Sequence, residues 1–173
     1  VSGSQDGTVR LWDVRTAKAG SQLCFDGKSD AVRDVQVNPF HTSTFASAYE
    51  NGSVQLWDLR KNGRIRLVNA HQGPVFSVAW HPTQRDLAVS AGRDRCIKVW
   101  NMDSESQRPA SSVGVSIPKH RLFTDSGVGR VRWRPHAQHH VASAAHLVDF
   151  KVHTWDVTSP YIPLASCPGH TDV

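Results

Sequence analysis

An eleven-residue phrase occurs twice in this chain, as QDGTVRLWDVR at residues 5–15 and ENGSVQLWDLR at residues 50–60, and no other feature constrains the fold as strongly. Its tryptophan recurs at Trp12, Trp57, Trp100 and Trp155, at intervals of 45, 43 and 55 residues. Self-similarity at such a period marks a unit that cannot bury its own apolar face and stacks on copies of itself.

The third interval is longer because residues 101–120, NMDSESQRPASSVGVSIPKH, are rich in Ser and Pro and lack alternation, as a surface loop between strands would. Counting back from each tryptophan aligns Ser2, Ser47 and Ser90, then Asp6, Asn51, Asp94 and Asp149. Ser143 lies two residues further back than its counterparts, which predicts an insertion or bulge around His146-Leu147. Upstream, Val32, Val75 and Val128 form one column, Val35, Val78 and Val131 the next, and Pro39, Pro82 and Pro135 close each segment. This is strand patterning, alternating or bulged, ended by a residue that cannot donate to a ladder. Asp6-Gly7 and Asn51-Gly52 supply the positive φ of tight hairpins. Each unit therefore reads as four short antiparallel strands.

Composition sets outer limits. The 173 residues are 39% hydrophobic and 20% charged, enough apolar matter for a core. No stretch approaches the roughly 18 apolar residues of a spanning helix, and no secretory leader opens the chain. Cys24, Cys96 and Cys167 are odd in number, widely spaced and free of any C-x-x-C pair, which disfavours a disulfide framework and a zinc site and fits a reducing, intracellular setting. The three are expected to be small buried hydrophobes on strands. The net charge of +5 comes from scattered residues rather than a basic run, so a solvated surface is favoured over a nucleic-acid face. The chain opens on Val1 in what reads as the end of a strand, and it is expected to be a fragment.

Trp-Asp at Trp12-Asp13, Trp57-Asp58 and Trp155-Asp156, Ala-His at Ala70-His71 and Gly-His at Gly169-His170 recur in order at this period, and by them the units resemble WD repeats of β-propellers. The resemblance covers essentially the whole chain. It implies an all-β WD-repeat β-propeller fragment, about four blades of a seven-bladed ring. Residues 1–26 would end one blade, 27–69, 70–118 and 119–168 would each form one, and 169–173 would begin the next. Inner strands are expected at 31–38, 74–81 and 128–134, second strands near 43–49, 86–91 and 140–145, and third strands near 8–12, 53–57, 96–100 and 150–155. Outer strands are expected near 21–25, 65–69 and 163–167, the one after Trp100 being poorly marked.

His71, Ser90 and Asp94 are the residue types of a nucleophilic hydrolase, and the fold brings them together. A catalytic serine also needs an exposed oxygen and an oxyanion hole, and no G-x-S-x-G elbow is present. In WD repeats these positions and Trp100 form a buried structural tetrad, Asp to His, His to Ser, Ser to the Trp indole, so the resemblance implies architecture and no catalytic residue. The matching position is Lys28 or a neighbour in the second unit and Thr124 in the fourth, so neither completes the network, and Asn51 weakens the second further. His136, His139 and His140 lie in an exposed hairpin without a carboxylate or Cys, so no metal or cofactor is expected. Trp80 and Trp133 are expected to pack between blades rather than stack bases.

A rigid ring with variable loops offers a protein-binding surface. Candidate contacts lie on the side of the loops preceding each inner strand: Asp30, Arg33, Asp34, Gln72, Phe76, Ser77, Asp125 and Arg130. Phe76 and Arg130 are of the kind that anchors interfaces, and equally of the kind that packs internally; the sequence does not choose. ENGSVQLWD, WRP followed by HH, and WDV followed by an aromatic and Pro are not required of generic WD repeats. In these the chain is similar to the WD-repeat, RING-bearing subunit family of the SEA/GATOR nutrient-signalling complex. That similarity implies a non-catalytic scaffold assembled with other propeller subunits, such as Seh-type and Sec-type proteins, regulating the TOR kinase in response to amino acids. It implies a cytoplasmic protein, peripheral at the lysosomal or vacuolar membrane through partners only, with no nucleic acid bound. Alternatives are a WD-repeat substrate adaptor of a ubiquitin ligase, a histone-binding chaperone, or an RNA-associated propeller whose binding would be strongly salt-dependent.

Overall fold

The structure, a computed structural model, describes residues 1–13, 15, 20, 22–103, 117–147 and 149–168. Gly169-His170 and the residues of the Ser-rich insertion from 104 to 116 lie outside these. β1 (Ser2–Gly3), β2 (Thr8–Leu11) and β3 (Leu23–Asp26) pair as a three-stranded antiparallel sheet, blade 1. β4 (Val32–Val37), β5 (Thr44–Tyr49), β6 (Ser53–Asp58) and β7 (Gly63–Asn69) form blade 2, four strands in sequence order. β8 (Val75–Trp80), β9 (Leu87–Gly92), β10 (Cys96–Asn101) and β11 (His120–Phe123) form blade 3. Blade 4 holds β12 (Val128–Trp133), β13 (His140–Ala145), β14 (Lys151–Asp156) and β15 (Ala165–Pro168). The strands fall within two residues of the sequence expectation, and the poorly marked one after Trp100 is β11.

Local chemistry sets the hairpins. Asp6, Asn51, Asp94 and Asp149 each accept the backbone N–H two residues on, at 2.9, 3.0, 3.3 and 3.1 Å, which folds the turn before the third strand. Gly7 and Gly52 take φ of 80° and 90°, and in blade 3 Arg95 accepts φ 57° at the corresponding corner. At Gly52 a Cβ would also run into the carbonyl of His71, so the turn of blade 2 lies hard against the loop entering blade 3. The insertion expected around His146-Leu147 falls in the β13–β14 turn.

The core is a series of layers between blades. Phe25 of blade 1 meets Phe45 and Trp57 of blade 2 edge-on, at centroid distances of 5.2 and 5.6 Å. Val54, Leu56 and Val68 of blade 2 pack on Val75, Val78, Trp80 and Trp100 of blade 3. Val89, Ile97 and Leu122 then pack on Val128, Val131, Val141 and Trp155 of blade 4. Burying each such side chain contributes about 1.5–3 kcal/mol, so every blade depends on its neighbours for stability. Trp80 Nε1 donates to Gln36 O at 3.0 Å and Trp133 Nε1 to Ala79 O at 3.3 Å, tying successive inner strands together. Each inner strand bulges once, at Arg33, Phe76 and Gly129. One expectation fails: Cys24 and Cys167 are exposed and only Cys96 is buried. Cys24 alternates with the buried Phe25 on β3 and so faces away from the layer between blades 1 and 2, and Cys167 lies on β15, all four residues of which are exposed.

Candidate functional site

In blade 3 the loop after β7 carries His71 into the space between β9 and β10. Its Nδ1 pairs with Asp94 Oδ1 at 2.7 Å and its Nε2 with Ser90 Oγ at 2.7 Å, while Trp100 Nε1 donates to the same Ser90 oxygen at 2.8 Å. The His71 side chain has no solvent exposure and Ser90 none either, so the serine oxygen cannot meet a substrate. Burial drives the His71 pKa down, against the pull of Asp94, and the imidazole is neutral. For Asp94 burial acts upward, but the His71 hydrogen bond, the Gln72 N–H and Lys98 outweigh it and bring the carboxyl to about 2. Lys98 Nζ completes the cluster, donating to Ala70 O at 2.5 Å and standing 3.4 Å from Asp94. Such a network satisfies groups that would each cost about 1–3 kcal/mol if buried alone.

The other blades keep part of this frame. Trp57 donates to Ser47 at 2.8 Å and Trp155 to Ser143 at 2.9 Å. In blade 2 the space of the histidine is taken by Tyr49, which is fully buried and whose hydroxyl a Cβ at Gly27 would overlap. Lys28, beside it, has φ 46°. In blade 4 Thr124 turns its hydroxyl to Ser126 O at 2.7 Å and Ala145 stands where Tyr49 and Gly92 do, leaving a cavity of about 130 Å³ beside Ser143, Asp149 and Trp155. Sequence reading missed His153, which lies at the place of Lys98. Its Nε2 pairs with Asp149 at 2.5 Å and its Nδ1 with Ser166 Oγ at 2.8 Å. The signal was the spacing of four from Asp149, shared with Asp94 and Lys98.

The eight candidate contact residues divide into two groups. Ser77 is completely buried and Asp34 nearly so. Asp34 Oδ2 accepts from Ser77 Oγ at 3.1 Å and Val78 N at 3.0 Å, and Arg132 donates to Ser77 Oγ at 3.1 Å, so this chain of contacts joins blades 2, 3 and 4. These two residues are corrected from partner contacts to interblade ties, because the ring's inner strands approach closely enough to bond them to each other. Asp30, Arg33, Gln72, Asp125 and Arg130 are exposed, and Phe76 is half-buried. Arg33 pairs with Glu50 at 2.5 Å and Phe76 stacks on His146 of the next blade, centroids 4.2 Å apart. Gly129 permits that stack: a Cβ there would lie 3.2 Å from His146 Cα. Among the described residues no group of three or more His, Cys, Asp or Glu is arranged to hold a metal ion, and no helix is long and apolar enough to cross a membrane.

Comparison with known proteins places this geometry. Residues 1–141 match the family model of the nucleolar protein 10-like N-terminal β-propeller domain. The whole chain aligns with the GATOR2 complex protein WDR24 of Homo sapiens at 41% identity and of Drosophila melanogaster at 45%, covering 21% of each of those proteins. The restriction of telomere capping protein 1 of Lachancea thermotolerans is 35% identical over 64% of this chain and 10% of its own length. A WD-repeat propeller chain in the crystal structure of the Mitotic Checkpoint Complex superposes with a TM-score of 0.81 at 23% identity, over 98% of this chain and 49% of that one. The chain thus spans about one fifth of the length of the WDR24 proteins of Homo sapiens and Drosophila melanogaster, at 21%, and less of the Lachancea thermotolerans protein, at 10%.

Proposed function

The chain belongs to the β-propeller family of nucleolar protein 10-like N-terminal domains, and from that premise we propose that it is a non-catalytic interaction scaffold, part of the propeller of a GATOR2-type subunit. The observation that carries this reading is the alignment of the entire chain with proteins named for the GATOR2 complex, at 40–45% identity in five animals and one slime mould. Through that assembly it would act in the control of TOR signalling by amino acids. Its partners are other propeller subunits, its place is the cytoplasm, and it reaches the lysosomal or vacuolar membrane through those partners. The complete burial of Ser47 and Ser90 supports a non-enzymatic role.

We read the chain as about half of a seven-bladed ring, in keeping with its covering 49% of the matched propeller chain. The remaining contact face is Asp30, Arg33, Gln72, Phe76, Asp125 and Arg130, on the side of the loops entering the inner strands. Affinity purification of the full-length protein at native abundance, with mass spectrometry of what accompanies it, tests the assignment. Recovery of the other GATOR2 subunits is expected. Recovery instead of cullin-ligase components, histones or RNA-processing factors would overturn the assembly and leave the propeller standing.

A further inference from the structure

Blades 3 and 4 share a Ser, Asp and Trp frame and differ in its filler, in Ala145 for Gly92, in His153 for Lys98 and in two extra residues between the serine and the aspartate. Asp94 Oδ1 and Ser90 Oγ clamp the imidazole of His71 from two sides. In blade 4 the corresponding atoms are Asp149 Oδ1, which among the described residues accepts only the Lys151 N–H at 3.1 Å, and Ser143 Oγ, which accepts the Trp155 indole at 2.9 Å. The proton that the blade-3 serine shares with His71 has, on Ser143, no acceptor among the described residues. Between these atoms lies the cavity of about 130 Å³. A cavity of about 150 Å³ accommodates a six-membered aromatic ring, so this one suits a five-membered ring and is too small for a whole metabolite.

The chemistry of the walls is selective. Asp149 offers a carboxylate acceptor and Ser143 a hydroxyl donor, so a matching group must donate on one edge and accept on the other. A neutral imidazole does both; a guanidinium or ammonium only donates. Phe123, 66% exposed, and Tyr161, 91% exposed, frame the mouth and leave a path from solvent. Their rings would pack on the stem of whatever enters. His153 stays bonded to Asp149 Oδ2 and Ser166, on the other carboxylate oxygen, and does not fill the space.

We propose that this cavity is a docking site for the imidazole of a histidine carried by a partner protein, held between Asp149 and Ser143 as His71 is held between Asp94 and Ser90. The site stands on the internal comparison of two blades and does not depend on which complex the chain joins.

The test uses the full-length protein labelled with 5-fluorotryptophan, the Trp155 fluorine signal being assigned with Trp155→Phe. Titration with 4-methylimidazole at alkaline pH, where the probe is neutral, is expected to move that signal saturably. Thr124→His places the protein's own imidazole in the cavity and abolishes the response. Asp149→Asn, tolerated in this frame because blade 2 has Asn51 there, weakens binding about tenfold and serves if the histidine variant does not fold. The proposal is overturned if Trp155 shows no saturable shift, if Thr124→His or Asp149→Asn leaves the response unchanged, or if methylguanidinium binds as tightly as the imidazole.

Discussion

Tyr49 and Gly92 stand at the same place in consecutive blades, two residues beyond Ser47 and Ser90, and the phenol of one fills the space that the other leaves open to His71. A Cβ at Gly92 would lie 3.3 Å from His71 Cγ and 2.5 Å from the carbonyl oxygen of Pro74. Gly92→Ala is therefore expected to destabilise by about 1–3 kcal/mol, since the carbonyl belongs to backbone and cannot swing away. Tyr49→Phe should be neutral or stabilise by up to about 1 kcal/mol, because the Tyr49 hydroxyl is buried without a hydrogen-bond partner among the described residues. Denaturant midpoints of the two variants of the full-length protein check both signs.

His71→Ala should cost about 1–3 kcal/mol at neutral pH, because it leaves Asp94 and Ser90 without their common partner. The pH dependence has a definite sign. The folded His71 pKa lies below its unfolded value of 6.5, so below about that pH the unfolded chain takes up a proton that the native chain refuses. The contribution of His71 is complete above that value and declines as pH falls beneath it, so the difference between parent and His71→Ala should shrink from neutrality toward pH 5 or so. A difference that grows on acidification would mean that the imidazole is charged in the native state. At lower pH the Asp94 contribution, present above 3.8, is lost toward about 2.

The tetrad and the strands were readable because they depend on spacing: a buried Ser, Asp and Trp at fixed distances leave the same mark in every unit. What fills the frame was not readable in the same way. Tyr49 and Ala145 end the strands β5 and β13, at a position that no recurring residue marks, and only their place in the structure gives them a role. Asp34 and Ser77 read as surface residues from the sequence because polar residues near a loop are usually exposed. They are interior because neighbouring inner strands converge, a relation between blades that no single unit's pattern contains.

The interblade tie makes a contrast that geometry alone decides. Asp34→Ala removes the acceptor for Val78 N and Ser77 Oγ, both buried, and should cost about 1–3 kcal/mol. Arg130→Ala removes a guanidinium that is 63% exposed and 3.8 Å from Asp34, and should cost about 0.5 kcal/mol or less. Comparable losses in thermal or urea unfolding would show that Asp34 acts through its charge rather than through its hydrogen bonds.

Residues 1–173 taken alone should self-associate. Val152, Ile162 and Leu164 of blade 4 are exposed, at 37%, 74% and 55%, as is Trp12 of blade 1 at 45%. Their blades lie at the two ends of the row, where each has a neighbour on one side only. Apolar faces and strand edges of this kind drive association. Sedimentation velocity on the isolated segment is expected to show concentration-dependent oligomers, and a cooperative monomer would contradict the open-ring reading.

The contact face is separable from the fold by comparing opposite ends of the strands. Arg33 and Phe76 lie at the bulges beside the loops entering β4 and β8, whereas Arg60, 76% exposed, lies in the turn at the far end of β6. Phe76→Ala loses the stack on His146, worth about 0.5–1.5 kcal/mol, and Arg33→Ala loses a surface ion pair worth less. Neither loss unfolds a ring, so any fall in co-purified partner protein in the Arg33→Ala, Phe76→Ala double variant reflects the surface itself. Arg60→Ala should leave recovery unchanged. If Arg60→Ala reduces partner recovery and the double variant does not, the binding face is the opposite one, where the loops leaving the inner strands lie.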